Sequence, residues 1–186
     1  ESRQILASLI RGQEQAEVPK ALQVLLRPSV QPYLISLLRQ RPAEAFAAAR
    51  RFLSYLPSSI HDRALRTECS DPTDRREESL LAAVPREAKQ VYAMRRIADA
   101  VFDRGSFFEM GARWGRAVIT AFARLDGYPV AVLASDPSYL GGSWDAKTSE
   151  KAERFVKLAD QFRLPIVHLV DNPGFMIGGE AERTGT

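Results

Sequence analysis

The sequence predicts an α/β fold assembled from β-β-α units, and three adjoining stretches carry that prediction. "AVITAFAR" at 117–124 and "PVAVLA" at 129–134 are apolar and β-branched runs joined through Asp126-Gly127, a pair whose glycine tolerates the positive φ of a tight hairpin turn. "SEKAERFVKLADQF" then places Ala152, Phe155, Val156 and Ala159 on one helical stripe, with Ser149 ahead of it as the expected N-cap. "PIVHLV" at 165–170 is apolar nearly throughout, the pattern of a strand covered on both faces. Strand, strand, helix, strand is one such unit passing into the next.

The upstream elements follow in order. Residues 1–41 have helical apolar spacing in "ILASLI" and "ALQVLLRPSVQPYLISLLRQ", cut into short pieces by Pro19, Pro28 and Pro32. "AEAFAAARRFLSYL" at 43–56 is alanine-rich, with Phe46, Ala49, Phe52 and Leu53 on one face, and Pro57 stops it. From 57 to 90 the chain turns to proline, serine and charge, with one apolar stretch at Leu80–Val84, as a surface connection does. "VYAMRRIADAVFD" sets Met94, Ile97, Ala98 and Val101 at helical spacing, and Gly105 supplies a turn before a short extended segment. The expected organisation is a helical segment over 1–56, a connection over 57–90 and the β-β-α part over 91–186.

Composition narrows the function classes. With 186 residues and 45% hydrophobic content the chain can bury a sizeable core, so a soluble globular protein is expected. Its longest apolar runs fall far short of the ~20 residues that cross a bilayer, and no charged-then-apolar leader opens it, which points to a cytoplasmic location and no membrane role. Cys69 is the only cysteine and has only His61 and His168 as soft-ligand company, so neither a disulfide nor a zinc site is expected. The net charge of +3 comes from 26 basic and 23 acidic residues, with arginines spread along helical segments. That suits a solvated surface or a phosphorylated ligand, and without interleaved aromatic and basic residues it does not suggest nucleic acid.

In α/β folds, ligands gather where loops leave the carboxyl ends of buried strands. Two loops there have suitable chemistry: "SDPSYLGGSWD" after 129–134 and "DNPGFMIGGE" after 165–170. Gly141, Gly142 and Gly174 allow backbone to approach a flat ligand, and consecutive N–H groups in such turns can hold a developing oxyanion. Other residues read as structural. His168, between apolar neighbours, is expected to be a core histidine, Asp171 to orient its loop, and Glu180, Glu182 and Arg183 to be solvated. Trp114, Tyr139 and Trp144 are expected at an interface or near ligand.

"RRFLSYLPSS", "DPTDRREESLLAAVP", "DRGSFFEMGARWGRAVITAFARLDGYPVAVLASDP", "GGSWDAKTSEKAERFVKLADQF" and "LPIVHLVDNPGFMIGGEAERTGT" together resemble the carboxyltransferase β-type subunit of biotin-dependent acyl-CoA carboxylases. The propionyl-CoA and methylcrotonyl-CoA carboxylases belong to that family. The resemblance runs in order over about residues 44–186; residues 1–42 do not share the pattern. It implies a partial crotonase-like β-β-α superhelix, with the end of the family's N-terminal half over 1–56, a connection, and the start of its C-terminal half from 91. The implied activity moves a carboxyl group from carboxybiotin, carried on a biotin carrier protein, to an acyl-CoA, with oxyanions held by backbone N–H groups rather than by side chains or a metal.

Carried over by residue, the resemblance makes Asn172, Pro173, Gly174 and Phe175 the biotin-side wall, with Gly141 and Gly142 beside it. Gly174 and Phe175 are the expected catalytic backbone. Implied partners are a biotin carboxylase and carrier subunit and an oligomer of carboxyltransferase subunits, expected to be a hexamer. The glycine-rich element completing the biotin-side oxyanion hole is expected after residue 186. A decarboxylase subunit and a noncatalytic assembly subunit are the alternatives.

Overall fold

The computed structural model describes residues 42–87 and 90–186, so the helices expected over 1–41 lie outside the described residues. The chain divides into two compact units, Glu1–Ala64 and Leu65–Thr186. In the first, α1 spans Pro42–Ser54. Proline suits its opening position, where the missing N–H costs nothing, and the Ser54 hydroxyl donates back to the Arg51 carbonyl at 2.7 Å. Phe52, Tyr55 and Leu56 are buried, whereas Phe46, expected on the same face as Phe52, is exposed.

The second unit opens with an extended segment pinned to the sheet by hydrogen bonds rather than by apolar burial. Thr67 N–H donates to the Gly127 carbonyl at 3.1 Å, and Arg66 reaches the Asp126 carbonyl and carboxylate at 2.7 and 2.6 Å. A short 3-10 turn, Glu78–Ala82, buries nothing. Helix α2, Met94–Val101, follows. Arg75 donates to the carbonyls of Ala100 and Phe102 at 2.6 and 2.9 Å, so a cation satisfies acceptors that the end of α2 leaves unpaired.

Four strands make one sheet in the order β1-β2-β3-β4: Phe108–Met110, Val118–Leu125, Tyr128–Ser135 and Ile166–Leu169. β1-β2-β3 is an antiparallel meander. Leu125 pairs with Tyr128 across Asp126-Gly127, both of which take positive φ, 51° and 77°, as the primed hairpin turn requires. β4 then pairs with β3 in parallel after α3, Ala146–Gln161, has crossed over. The expected β-β-α order is the one found.

Alternation along the strands sorts the core into two layers. Ile119, Ala121 and Ala123 of β2 with Val130, Val132 and Ala134 of β3 face Met94 and Ala98 of α2. The opposite face meets α3, where the Phe122 and Phe155 rings lie 5.7 Å apart. Both middle strands are therefore covered twice.

The structure departs from the sequence pattern in three further places. The N-cap of α3 is Asp145, whose carboxylate accepts the Thr148 N–H at 2.8 Å, and Ser149 lies inside the first turn. Val156 is 38% exposed and Leu158 takes its place in the buried stripe; at 100° per residue Val156 lies about 100° from the stripe's centre and Leu158 about 60°. β4 is covered on one side only: Val167 and Leu169 pack against the α2 layer, while Ile166 and His168 are exposed. α3 lies over β2, and no described element lies over this face of β4, so His168 is a surface residue and not a core histidine.

Candidate functional site

The loops after β3 and β4 are tied to one another through backbone. After β3, Leu140, Gly141 and Gly142 take successive left-handed φ values of 51°, 60° and 82°. Gly142 presses on the second loop: a Cβ there would stand 2.8 Å from the Asp171 carbonyl oxygen, so only glycine fits. Gly141 faces open space.

A parallel bridge joins Trp144 to Phe175. Trp144 N–H donates to the Gly174 carbonyl at 3.0 Å, and Met176 N–H to the Trp144 carbonyl at 2.8 Å. In a parallel ladder the bridged residue's own N–H and C=O point to the other side. The Phe175 N–H therefore faces away from Trp144, and among the described residues nothing accepts from it. Gly174 differs, because the Asn172 carboxamide oxygen accepts its N–H in a tight local turn. Gly174 sits at φ 132° with open space where a Cβ would be. Phe175 is 63% exposed, and its ring meets the Trp144 indole edge-on at 6.0 Å and 82°. The indole N–H is buried with no partner among the described residues. Val170 and Ile177 add exposed apolar surface.

Charged side chains hold the roots of both loops. The Tyr92 hydroxyl donates to the Asp171 carboxylate; burial, then this bond, pushes the phenol up to about 12. Arg95 makes a two-pronged pair with Glu109 at 2.8 and 2.7 Å and reaches Asp136 at 2.6 Å. These partners hold its guanidinium well above the ordinary arginine range, the Glu109 bond most of all. For Asp136 burial favours the neutral acid, yet hydrogen bonds from Ser138 and Arg95 outweigh it and keep the carboxyl below the usual carboxylate range. Beneath the sheet, Lys151 is buried and donates to the Val118 carbonyl at 2.8 Å.

The structure thus gathers Asn172, Pro173, Gly174, Phe175 and Gly142 at one place, with Gly141 on the open side of the first loop. Tyr139 lies under Arg116 at 4.7 Å and Trp114 under Arg154 at 5.0 Å. Tyr92, Arg95 and Lys151 are absent from the sequence reading; only Lys151 had a visible signal, a cation among Thr148, Ala152, Phe155 and Ala159 on the buried stripe. A cavity of about 300 Å³ lined by Cys69, Asp71, Arg75, Val101, Asp103 and Asp126 lies at the far end of α2 from these loops. Its acids are engaged by Arg75, Arg66 and backbone amides. Among the described residues no group of three His, Cys, Asp or Glu could hold a metal, and no helix is long and apolar enough to cross a membrane.

Residues 34–186 match the carboxyl transferase domain. The chain belongs to the carboxyl transferase domain family. The match begins at residue 34, ahead of the stretch from about 44 that resembles the family, and so takes in residues 34–42, which do not share its motifs. The chain is 36% identical over 145 residues to the biotin-dependent long chain acyl-coenzyme A carboxylase beta4 subunit of Mycobacterium tuberculosis, covering 77% of this chain and 28% of that protein. To the mitochondrial propionyl-CoA carboxylase beta chain of Rattus norvegicus it is 37% identical over 142 residues, covering 76% and 26%. Among solved structures, the transcarboxylase 12S hexamer with hydrolysed methylmalonyl-coenzyme A bound superposes with a TM-score of 0.72 at 33% identity, over 76% of this chain and 28% of that one. The carboxyl transferase chain thus has the partial crotonase-like α/β fold expected of it, and spans about a quarter of the length of these relatives.

Proposed function

We propose that this chain forms part of the carboxyltransferase component of a biotin-dependent acyl-CoA carboxylase, and that the loops at 136–145 and 170–178 wall its biotin side. The observation that carries this reading is the Phe175 N–H, aimed away from its bridge partner with no described acceptor. Carboxybiotin on its carrier supplies the carboxyl group that an acyl-CoA receives. A flat bicyclic urea suits these loops: Gly141 and Gly174 face open space where a Cβ would stand, and Phe175, Val170 and Ile177 expose apolar surface.

The chain's residues then have separate tasks. Phe175 N–H donates to an oxygen that gains negative charge, a contribution that grows in a water-poor site whose dipole is already oriented. Gly174 gives steric access while its own N–H stays with Asn172. Trp144 holds both flanking peptides in place. The glycine-rich partner element and the CoA site belong, in this reading, to parts of the subunit beyond these residues or to a neighbour in a hexamer.

The test uses the full-length subunit assembled with its biotin carboxylase and carrier. Labelled bicarbonate should appear in acyl-CoA products when acyl chains of several lengths are offered. Absence of label in all of them, with the carrier demonstrably carboxylated, would leave the noncatalytic assembly role.

A further inference from the structure

The two loops of the site begin in the same way, and one short segment holds both. β3 and β4 are parallel with Ala134 opposite Leu169. Carrying that register two residues on sets Asp136 opposite Asp171, and the bond from Asp171 N–H to the Ser135 hydroxyl, 3.0 Å, keeps the strand ends together there. Alternation returns both aspartates to the face that carries Val132, Ala134, Val167 and Leu169, which is the face α2 covers.

α2 starts over this end of the sheet. Tyr92, just before the N-cap Ala93, meets Asp171, and Arg95, in the first turn, meets Asp136. Two like charges opposite one another on adjacent strands would repel; here each acid has its own donor. Arg95 also grips Glu109 of β1, so the assembly is referenced to the far edge of the sheet.

We propose that Tyr92 and Arg95 are positioning residues for carboxyl transfer: from one end of α2 they set the two loops against each other and so aim the Phe175 N–H. This rests on the reading of the site given above. Both side chains are engaged by carboxylates, and neither bonds to Asn172, Gly174 or Phe175. They act through Asp171, one residue ahead of Asn172, and through Asp136, at the root of the loop that ends in Trp144. Without them the loops keep the Gly142 contact and the 144–175 bridge, which join the loops to each other but not to the α2 layer.

Tyr92→Phe isolates the effect, because the ring keeps its place against the core and only the hydroxyl is lost. Arg95→Lys is the second variant, retaining the charge but not the fork that spans Glu109 and Asp136. In the full-length subunit assembled with its carrier, each should raise KM for the carboxylated carrier about tenfold, the scale of a lost hydrogen bond to a charged group. KM for acyl-CoA should stay unchanged. Hydrogen exchange should quicken for amides of 137–144 and 172–178 and not for those of β2. An unchanged carrier KM overturns the proposal, as does a loss of rate that merely follows the loss of folded protein. If wild-type enzyme transfers no carboxyl group, the functional reading falls and the role in carboxyl transfer with it; exchange in Tyr92→Phe then tests only whether Tyr92 holds the loops, quickened loops supporting that and unaltered loops refuting it.

Discussion

Replacing Lys151 by methionine shows how one buried charge shapes the stability of the β-β-α unit. Lys151 lies 4% exposed on the covered side of α3, donating to the Val118 carbonyl at 2.8 Å and, weakly, to the Gly115 carbonyl at 3.4 Å. Burial is the main force on its ammonium and pushes it from 10.5 down to about 8; Arg95 adds to the shift, while Glu109 and Asp136 oppose it. Such a displacement disfavours the charged form by ~3 kcal/mol. The native lysine releases its proton near pH 8 and the unfolded chain holds its own to about 10.5, so unfolding takes up a proton between those values. Stability therefore rises with pH across that window, by at most ~1.4 kcal/mol per unit. Methionine removes the penalty and also orphans the Val118 carbonyl, which costs ~1–3 kcal/mol. Near pH 7 the two effects offset, and Lys151→Met should differ from wild type by no more than ~2 kcal/mol. Near pH 10.5 the neutral lysine keeps its bond without the penalty, and wild type should be the more stable by ~1–3 kcal/mol. Urea unfolding of the full-length subunit at intervals from pH 7 to 10.5 measures the difference. A gap between the two proteins that stays constant over that range would refute the burial argument.

The remaining predictions concern backbone and loop positions. Gly127→Ala should lower stability by ~2–4 kcal/mol, since its Cβ would fall 2.0 Å from the Thr67 carbonyl oxygen at φ 77°; thermal unfolding checks it, and a change below ~1 kcal/mol would mean that the 65–68 segment gives way freely. Gly142→Ala forces its Cβ against the Asp171 carbonyl oxygen and should part the two loops, lowering kcat/KM for the carboxylated carrier by tenfold or more (~1.4 kcal/mol) while circular dichroism stays native. Phe175→Ala removes a largely exposed ring, so stability should move by less than ~1 kcal/mol; carrier KM should rise while acyl-CoA KM holds, as initial rates at varied carrier and acyl-CoA would show.

The strands, hairpin and crossover helix were legible because period and turn chemistry are local. Asp126-Gly127 needs two positive φ values whatever surrounds it, and the α3 stripe follows from 100° per residue once Leu158 is counted in place of Val156. β4 was misread because a continuous apolar run reports that a strand can be covered on both faces, not what lies over it. His168 and Ile166 are exposed although Val167 and Leu169 are packed. The glycine and asparagine of "DNPGF" marked a turn, but which N–H that turn leaves unpaired depends on Trp144, thirty residues earlier, and on the Asn172 side chain closing on Gly174. Tyr92 and Arg95 were out of reach for the same reason: their partners lie 79 and 41 residues away, and only the register of β3 with β4 brings those partners together.

A loop that works through main chain must leave a donor unpaired and still hold its shape, two demands that oppose each other. An N–H in a slack loop turns to its own carbonyls or to water, and its dipole is then not in place when charge develops. Around Phe175 the neighbouring polar groups are each taken by a different part of the fold: Asp171 N–H by Ser135 of β3, the Asp171 carboxylate by Tyr92, Gly174 N–H by Asn172, and the Gly174 carbonyl and Met176 N–H by Trp144. Between Asp171 and Met176 the amides of Asn172 and Phe175 have no described acceptor, and that of Phe175 is the one whose neighbours on both sides are fixed. Its direction is thus a property of β3, β4, α2 and the Trp144 loop acting together, which is why, under the proposed function, a hydroxyl on Tyr92, outside the loop itself, should register in the KM for the carboxylated carrier.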